Sequence, residues 1–407
     1  MSWILLNDSE KTPDSFLFSG ISAGLKVSKK KDLALILAPP NSIFTGFFTN
    51  SAARASCVDI CISRLQESMG LVRAIIINSG QANACTGDRG LVDTLAVTKK
   101  LGDALGIPNN QILMCSTGVI GEPIPINNLI KKLPLLVKRL DRRNLKDVSE
   151  AILTTDTVPK KFIIERYIEG RRIRIVGFAK GSGMIYPDMA TMLAFIICDV
   201  GIEKKIWDEM IRDSLRSSFN SISVDGETST NDSFIAINSG DSIKKKYLPI
   251  IHEGIDIVCK KLAKSIARDG EGSNCLIEVI VKNANNESDA LKIARSIANS
   301  MLVKTAIHGC DPNWGRIIGA AGNAGVKFKV NELDLLIGEF QILRKGKLMF
   351  FEKEKVSNFL KTKMNGDYLV DDIVQITLNL NHGVSQGIAW GCDLSKQYVE
   401  INSEYTT

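Results

Sequence analysis

Histidine and long apolar runs are both scarce in this chain, and each shortage excludes a class of function. Only three histidines occur among 407 residues, at positions 252, 308 and 382. No HExxH motif or other close spacing joins them, so the sequence supports neither a zinc site nor a Ser-His-Asp triad, and we expect no metal. The longest apolar run, around Met192–Cys198, is far shorter than the roughly 20 residues of a membrane-spanning helix.

Cysteine spacing and net charge exclude further classes. The nine cysteines are odd in number, and no CxxC spacing joins any two of them, so neither a disulfide scaffold nor a zinc ribbon is indicated. The 51 basic and 45 acidic residues leave a net charge of +6, too weak a bias for a nucleic-acid-binding surface. The first residues lack the basic flank and apolar length of a signal sequence. We therefore expect a soluble cytoplasmic protein without nucleic-acid or membrane partners.

Strand-like and helix-like segments alternate along the chain, which predicts a layered α/β (α+β) architecture. Leucines at helical spacing predict a helix over 88–105, and alternating segments on both sides of Glu169-Gly170 predict a hairpin of strands 162–167 and 172–178. Further strands are predicted over 72–78, 111–115, 191–198, 275–281, 327–330, 341–351, 373–380 and 397–401, and further helices over 206–219, 247–267 and 289–302.

The most informative segment is Lys180–Cys198, a glycine-rich turn with a proline that leads into Thr191 and then into an apolar strand. This order places one hydroxyl at the mouth of a buried strand. The same order of residues is typical of a loop before a core strand, in which a threonine occurs simply because it favours β-structure. If the Ala190–Thr191 bond is cut, however, Thr191 gains a free α-amine with a pKa of roughly 7.7–8.0. Such an amine can take the proton of the threonine's own hydroxyl, so this chemistry needs no histidine.

Eight further segments carry a resemblance that covers nearly the whole chain. They are 75–87, 116–118, 154–157, 223–232, 269–272, 311–316, 389–394 and 401–407. Each is a modest signal alone, but eight in this order together with 180–198 are specific. The chain closely resembles the ornithine acetyltransferases (glutamate N-acetyltransferases) of arginine biosynthesis, the ArgJ-type family.

The resemblance implies a fold and a maturation step. The fold is an Ntn-hydrolase-like sandwich of β-sheets between helix layers, with ArgJ/DmpA-like topology. Members cut themselves into two chains that stay together, here 1–190 and 191–407, with the cleavage site between Ala190 and Thr191. Two copies of each fragment are implied to assemble into a heterotetramer. Tyr186 and Asp188 depart from the residues that are usual in the cleavage turn.

The resemblance also implies the reaction. The acetyl group of N2-acetylornithine passes to glutamate through an acetyl-Thr191 intermediate, giving ornithine and N-acetylglutamate without a cofactor. Some members also accept acetyl-CoA as donor, and no residue here reports a coenzyme A pocket, so this co-substrate stays open. Two alternatives stay open as well: an aminopeptidase or amidase of the same fold that uses Thr191 in hydrolysis, and a binding protein that never cleaves.

The family's site residues match particular positions of this chain. Thr191 matches the nucleophile, and Thr117 and Gly118 match the oxyanion hole, a hydroxyl and a backbone N–H that stabilise a tetrahedral oxyanion. Lys180 matches a substrate-binding lysine whose cation suits the α-carboxylate of both amino acids. Glu271 matches a substrate-binding glutamate whose anion suits the ammonium group of ornithine. The remaining substrate-binding positions are Thr154, Asn402 and Thr407, together with Thr191 itself.

Overall fold

The computed structural model describes residues 2–8, 11–186 and 192–404, and strands and helices alternate through these ranges. The strands are β1 (Ile4–Leu6), β2 (Leu17–Ile21), β3 (Leu33–Leu37), β4 (Ile43–Phe48), β5 (Ala74–Gln81), β6 (Ile112–Val119), β7 (Lys160–Ile168), β8 (Arg171–Lys180), β9 (Leu193–Cys198), β10 (Ile222–Ser223), β11 (Ser233–Asn238), β12 (Leu276–Ala284), β13 (Asp334–Ile337), β14 (Phe340–Arg344), β15 (Lys347–Leu348), β16 (Ile373–Asn379) and β17 (Ser385–Cys392).

The helices connect these strands in blocks. They are α1 (Ser56–Glu67), α2 (Gly87–Leu105), α3 (Ile126–Lys138), α4 (Leu145–Ala151), α5 (Lys204–Arg216), α6 (Leu248–Arg268), α7 (Glu287–Asn299), α8 (Met301–His308), α9 (Trp314–Gly322), α10 (Lys353–Met364) and α11 (Lys396–Ser403). No helix within the described ranges combines the length and the apolar character that crossing a bilayer requires.

The strands form three sheets. Sheet A has the order β1-β7-β8-β9-β11-β4, sheet B has the order β2-β3-β5-β6, and sheet C has the order β10-β17-β12-β16-β13-β14-β15. Within sheet A, β9 is antiparallel to β8 and parallel to β11. The division into 1–190 and 191–407 stays a prediction. Sheet A contains strands from both of these ranges, since β8 belongs to the first and β9 to the second.

Sheets A and B pack face to face, and helices cover their outer faces. The core between the two sheets includes Phe18 and Ile75 of sheet B and the stacked rings of Phe178 and Phe195 of sheet A, whose centroids lie 5.1 Å apart. Helices α1, α2 and α3 cover the other face of sheet B. Helices α5 and α6 cover the other face of sheet A. The layered α/β class and the sandwich of sheets between helix layers are thus confirmed.

Strand β9 shows why the apolar run of the sequence folds at the centre of this sandwich. Successive side chains of a strand point to opposite faces, and both faces of β9 are covered, so an unbroken apolar run fits where an alternating one would not. One set of residues packs between sheets A and B, namely Leu193, Phe195 and Ile197. The other set packs under α5 and α6, namely Ala194, Ile196 and Cys198.

Sheet C extends the molecule beyond α6. One face of the sheet packs against α7, α8, α9 and α10. Leu276 and Trp390, on the other face, join the same core as Leu262 of α6. Helix α6 therefore lies between sheets A and C, in a core to which both sheets contribute.

Four predicted elements in the C-terminal third are wrong in whole or in part. The strand predicted over 341–351 is divided by a turn at 345–346 into β14 and β15. Residues 397–401 belong to helix α11, not to a strand, and the hydroxyl of Ser395 caps this helix by accepting a hydrogen bond from the Gln397 N–H at 3.1 Å. Residues 327–330 pair with no strand in the described part of the chain. The helix predicted over 289–302 ends at Asn299, because Ser300 is extended and its hydroxyl caps the start of α8. A short alternating segment carries too little pattern to separate a strand from a helix.

The carboxyl group of Asp199, at the end of β9, makes the stability of the fold depend on pH. Its Oδ1 accepts a hydrogen bond from the Arg174 N–H at 2.9 Å, yet burial raises its pKa to about 6. The folded state therefore binds this proton more tightly than the unfolded chain, whose aspartate pKa is about 3.9. Its stabilising contribution is present below about pH 4 and is lost as the pH rises through about 6.

We expect Asp199→Asn to raise the free energy of unfolding at pH 7 by about 1–3 kcal/mol, since the shift of the carboxyl pKa sets the upper value. The amide oxygen can still accept the Arg174 N–H, and the charge is gone. Denaturant unfolding at pH 7 and at pH 4 checks this, because Asp199 is protonated in the fold at pH 4 and most of the gain should vanish there. An equal gain at both pH values would contradict the expectation.

Candidate active site

A pocket of about 360 Å³ opens where the ends of β6 and β8 meet α11. Six residues predicted from the sequence as site residues line it: Thr117, Gly118, Thr154, Lys180, Glu271 and Asn402. These residues are spread along most of the chain, so folding alone brings them together. The predicted nucleophile Thr191, the adjoining Ala190 and the predicted substrate residue Thr407 lie outside the described residues.

Thr117 and Gly118 lie near the end of strand β6, beside Ser79 and Gly80 of the parallel strand β5. Gly118 has a φ of 131°, and a Cβ at this position would lie 2.2 Å from the carbonyl carbon of Gly80. Only glycine fits this close approach. The hydroxyl of Thr117 accepts a hydrogen bond from Nζ of Lys180 at 3.3 Å, which leaves the hydroxyl proton free to be donated elsewhere.

Lys180 ends strand β8 and pairs with Leu193 at the start of β9. Its side chain is buried, and desolvation lowers its pKa although the nearby charges of Asp156 and Glu271 oppose that effect. No carboxylate among residues 2–8, 11–186 and 192–404 lies within ion-pair distance of its ammonium group. A buried cation held in this way can accept a carboxylate ligand with little competition from water.

A buried ion network holds the backbone around Lys180. Nζ of Lys160 lies 2.6 Å from Asp156 and 2.5 Å from Asp269, and all three side chains are almost completely buried. Asp156 also accepts hydrogen bonds from the N–H groups of Gly181, at 2.7 Å, and Thr154, at 3.1 Å. Burial alone would raise the pKa of Asp156, but the neighbouring lysine cations lower it below its usual range. The ionised carboxylate therefore links two segments that line the pocket.

Glu271 supplies the negative charge of the pocket. Its Oε2 accepts a hydrogen bond from Nδ2 of Asn402 at 2.8 Å, and its N–H donates to the carbonyl of Ser182 at 2.9 Å. A Cβ on Gly183 would lie 2.5 Å from the Glu271 carboxyl carbon, so this turn packs directly against the carboxylate. The pocket thus contains a cation from β8 and an anion after α6, the complementary charges that an amino acid with a charged side chain requires.

Comparison with known proteins assigns the chain to a family. The model of the ArgJ family matches residues 17–407. The arginine biosynthesis bifunctional protein ArgJ of Prochlorococcus marinus subsp. pastoris is 65% identical, covering 99% of this chain and 100% of that protein. The chain belongs to the ArgJ family. The ArgJ protein of Prochlorococcus marinus strain NATL2A is 51% identical, covering 100% of this chain and 96% of that protein. A crystal structure of ArgJ from Bacillus halodurans shares 36% identity over 52% of this chain and 98% of that chain, with a TM-score of 0.48.

Two aspartates of this ArgJ-family chain, which the sequence reasoning did not single out, contact the backbone on both sides of residues 187–191. Asp225 accepts hydrogen bonds from the N–H groups of Met184, at 2.6 Å, and Ile185, at 2.9 Å. Asp232 accepts one from the Met192 N–H at 3.0 Å. Both aspartates lie in segment 223–232, whose only signal in the sequence was its resemblance to the ArgJ family.

We expect Gly118→Ala to lower the rate of acetyl transfer from N2-acetylornithine by at least about 10²-fold, the usual loss when an oxyanion donor is displaced. The added Cβ overlaps the backbone of Gly80, so the end of β6 must move. Gly121→Ala is the matched control, because Gly121 also has a positive φ, of 87°, but its Cβ would meet no atom within 4 Å. Initial rates and thermal unfolding of both variants check this. Equal losses of rate in the two variants would show that strain at the positive φ, and not overlap with the Gly80 backbone, causes the loss.

Proposed function

We propose that this chain transfers the acetyl group of N2-acetylornithine to glutamate in arginine biosynthesis, giving ornithine and N-acetylglutamate. One observation carries the proposal. The pocket combines the cation of Lys180 and the anion of Glu271 with the hydroxyl of Thr117 and the glycine backbone at 118. Membership of the ArgJ family supports it, since the relatives reported above are named as arginine biosynthesis proteins. We place the reaction in the cytoplasm, without nucleic-acid or membrane partners.

Charge complementarity explains how the pocket selects its substrates. The α-carboxylate common to acetylornithine and glutamate binds the Lys180 ammonium. The side-chain ammonium of ornithine binds Glu271, whose carboxylate the Asn402 amide orients at 2.8 Å. Charge-assisted hydrogen bonds of this kind are about twice as strong as neutral ones. Thr154 and Asn402 add neutral hydrogen bonds from the pocket wall, and Thr407 is assigned the same role.

Self-cleavage prepares the nucleophile. The Oγ of Thr191 attacks the carbonyl carbon of Ala190, the C–N bond between the two residues breaks, and the α-amine of Thr191 is freed as an ester forms on its Oγ. Water then hydrolyses the ester, which leaves a new carboxylate at residue 190. Strands β8 and β9 lie on either side of this bond and pair with each other, which supports fragments 1–190 and 191–407 staying together. We assign two copies of each fragment to the assembly.

Acetyl transfer then uses the new amine as its base. The α-amine of Thr191 takes the proton of the Thr191 hydroxyl, whose oxygen attacks the acetyl carbonyl. The resulting oxyanion accepts hydrogen bonds from the Thr117 hydroxyl and the Gly118 N–H. When the intermediate collapses, the α-nitrogen of ornithine takes the proton and leaves, and the acetyl group remains on Thr191. The α-amine of glutamate attacks this ester, loses a proton and restores the free threonine.

The choice between transfer and hydrolysis is tested by following ornithine release from N2-acetylornithine with and without glutamate. We expect release beyond the first equivalent per enzyme, which only acetylates Thr191, to require glutamate and to be matched by N-acetylglutamate, because the acetyl group on Thr191 needs an amine acceptor. Equal release in buffer alone would contradict the transferase and favour the amidase of the same fold. The same assay with acetyl-CoA as the only donor decides whether this co-substrate is accepted.

Thr191→Ala is expected to abolish both cleavage and turnover, because one hydroxyl serves both steps. Thr191→Ser is the matched control and should keep a part of each, since it retains a hydroxyl and an α-amine. Intact mass spectrometry locates the cut, and the transfer assay measures turnover. A chain of Thr191→Ala that is still cut between 190 and 191 would exclude Thr191 as the nucleophile.

A further inference from the structure

The loop between β10 and β11 contacts the chain on both sides of the proposed cleavage site. We call residues 223–232 the bracing loop. The chain runs from Tyr186 to Met192 through five residues. Described residues near both ends of this stretch, Ile185 and Met192, are hydrogen-bonded to the bracing loop. A loop that holds both ends of a short segment restricts the positions its middle can reach.

Asp225 holds the end that precedes the site. Its two carboxylate oxygens accept the N–H groups of Met184 and Ile185, at 2.6 and 2.9 Å. The N–H of Val224 donates to the carbonyl of Ile185 at 2.9 Å. Tyr398 of α11 donates its hydroxyl to the same carboxylate at 3.3 Å. Three backbone polar groups just before the site are therefore held by hydrogen bonds, namely the Met184 N–H, the Ile185 N–H and the Ile185 carbonyl.

Asp232 holds the end that follows the site. Its Oδ1 accepts the Met192 N–H at 3.0 Å, and the N–H of Ser233 donates to the Met192 carbonyl at 3.0 Å. Both backbone polar groups of Met192 are thus held by two consecutive residues. The Asp232 carboxyl is 1% exposed, and its Oδ2 is buried without a hydrogen-bond partner among the described residues. A buried polar atom without a partner is costly in a fold. This oxygen belongs to the carboxylate that holds Met192, the residue that follows the proposed nucleophile.

We propose that Asp225 and Asp232 are positioning residues for Thr191. They hold the chain before and after the Ala190–Thr191 bond, so that the threonine hydroxyl meets the carbonyl it attacks. The proposal rests on the proposed function, because it assumes cleavage at this bond. The proposal also gives the two aspartates different roles. After the cut, the backbone N–H groups that Asp225 holds belong to the end of fragment 1–190, whereas Asp232 still holds the residue bonded to the nucleophile. Asp225 therefore acts in cleavage alone, and Asp232 acts in cleavage and in turnover.

The variants Asp225→Ala, Asp232→Ala and Asp232→Asn of the full chain separate these roles. Cleavage is followed after cell-free synthesis by denaturing electrophoresis, and kcat is measured on the cut fraction, quantified by intact mass. We expect Asp232→Ala to slow cleavage and to lower kcat by about 10²-fold each, the effect of misplacing a reacting group by about 1 Å. Asp225→Ala should slow cleavage while its cut fraction keeps the wild-type kcat. Asp232→Asn should recover most of both rates, because its amide oxygen still accepts the Met192 N–H.

Asp103→Ala is the matched control, because Asp103 is exposed on α2 and should cleave and turn over as the wild type does. Thermal unfolding shows which variants fold, and Asp232→Glu, which moves the carboxyl by one methylene, replaces Asp232→Ala if that variant does not fold. Wild-type cleavage and turnover in the Asp232 variant would overturn its role, and a parallel loss of kcat in Asp225→Ala would overturn the division of roles. An uncut wild-type chain would overturn both this proposal and the proposed function, whereas a cut wild type with normal variants would overturn only the positioning roles.

Discussion

The antiparallel pairing of β8 with β9 is the interaction on which the candidate site depends. Its register sets Lys180 opposite Leu193, so the strand that ends at the proposed substrate-binding cation lies beside the strand that begins just after Thr191. The pairing is secured from both faces, because the rings of Phe178 and Phe195 stack in one core and Ala194 packs in the other. A shift of one residue would turn these side chains to the wrong faces. The site is therefore fixed by the packing of the sandwich.

Buried charge is the second constraint. The fold buries Lys160 between Asp156 and Asp269, residues separated by more than a hundred positions in sequence. Charges removed from water in this way are tolerated only when each has partners of opposite sign and further hydrogen bonds, and the N–H groups of Thr154 and Gly181 supply them for Asp156. Lys180 differs, since it is buried without an ion-pair partner in the described residues. Its ammonium group instead contacts the Thr117 hydroxyl and lines the pocket.

The sequence predicts these features unevenly. The class of fold follows from apolar runs such as β9, whose residues all have to be covered. The predicted pocket residues follow from resemblance. Asn402 shows the limit of pattern reading, because it lines the pocket although the strand predicted over 397–401 is a helix. Asp225 and Asp232 could not be found by spacing, since the backbone N–H groups of Met184, Ile185 and Met192 that they accept are brought close only by the tertiary fold. A carboxylate that binds backbone leaves no sequence pattern, whereas a strand with two apolar faces does.

The central place of β9 has a consequence for the cut form that we propose. Chain ends usually fray, but the fragment that begins at residue 191 enters the sheet between two neighbours, β8 of the other fragment and β11 of its own. The fragments of a cut chain cannot separate without opening this ladder and both cores, so their dissociation is global unfolding. Refolding then requires two molecules to meet and becomes dependent on concentration. The proposed cleavage would thus turn one chain into an obligate complex of two fragments, whose lifetime in dilute solution is set by how slowly it opens.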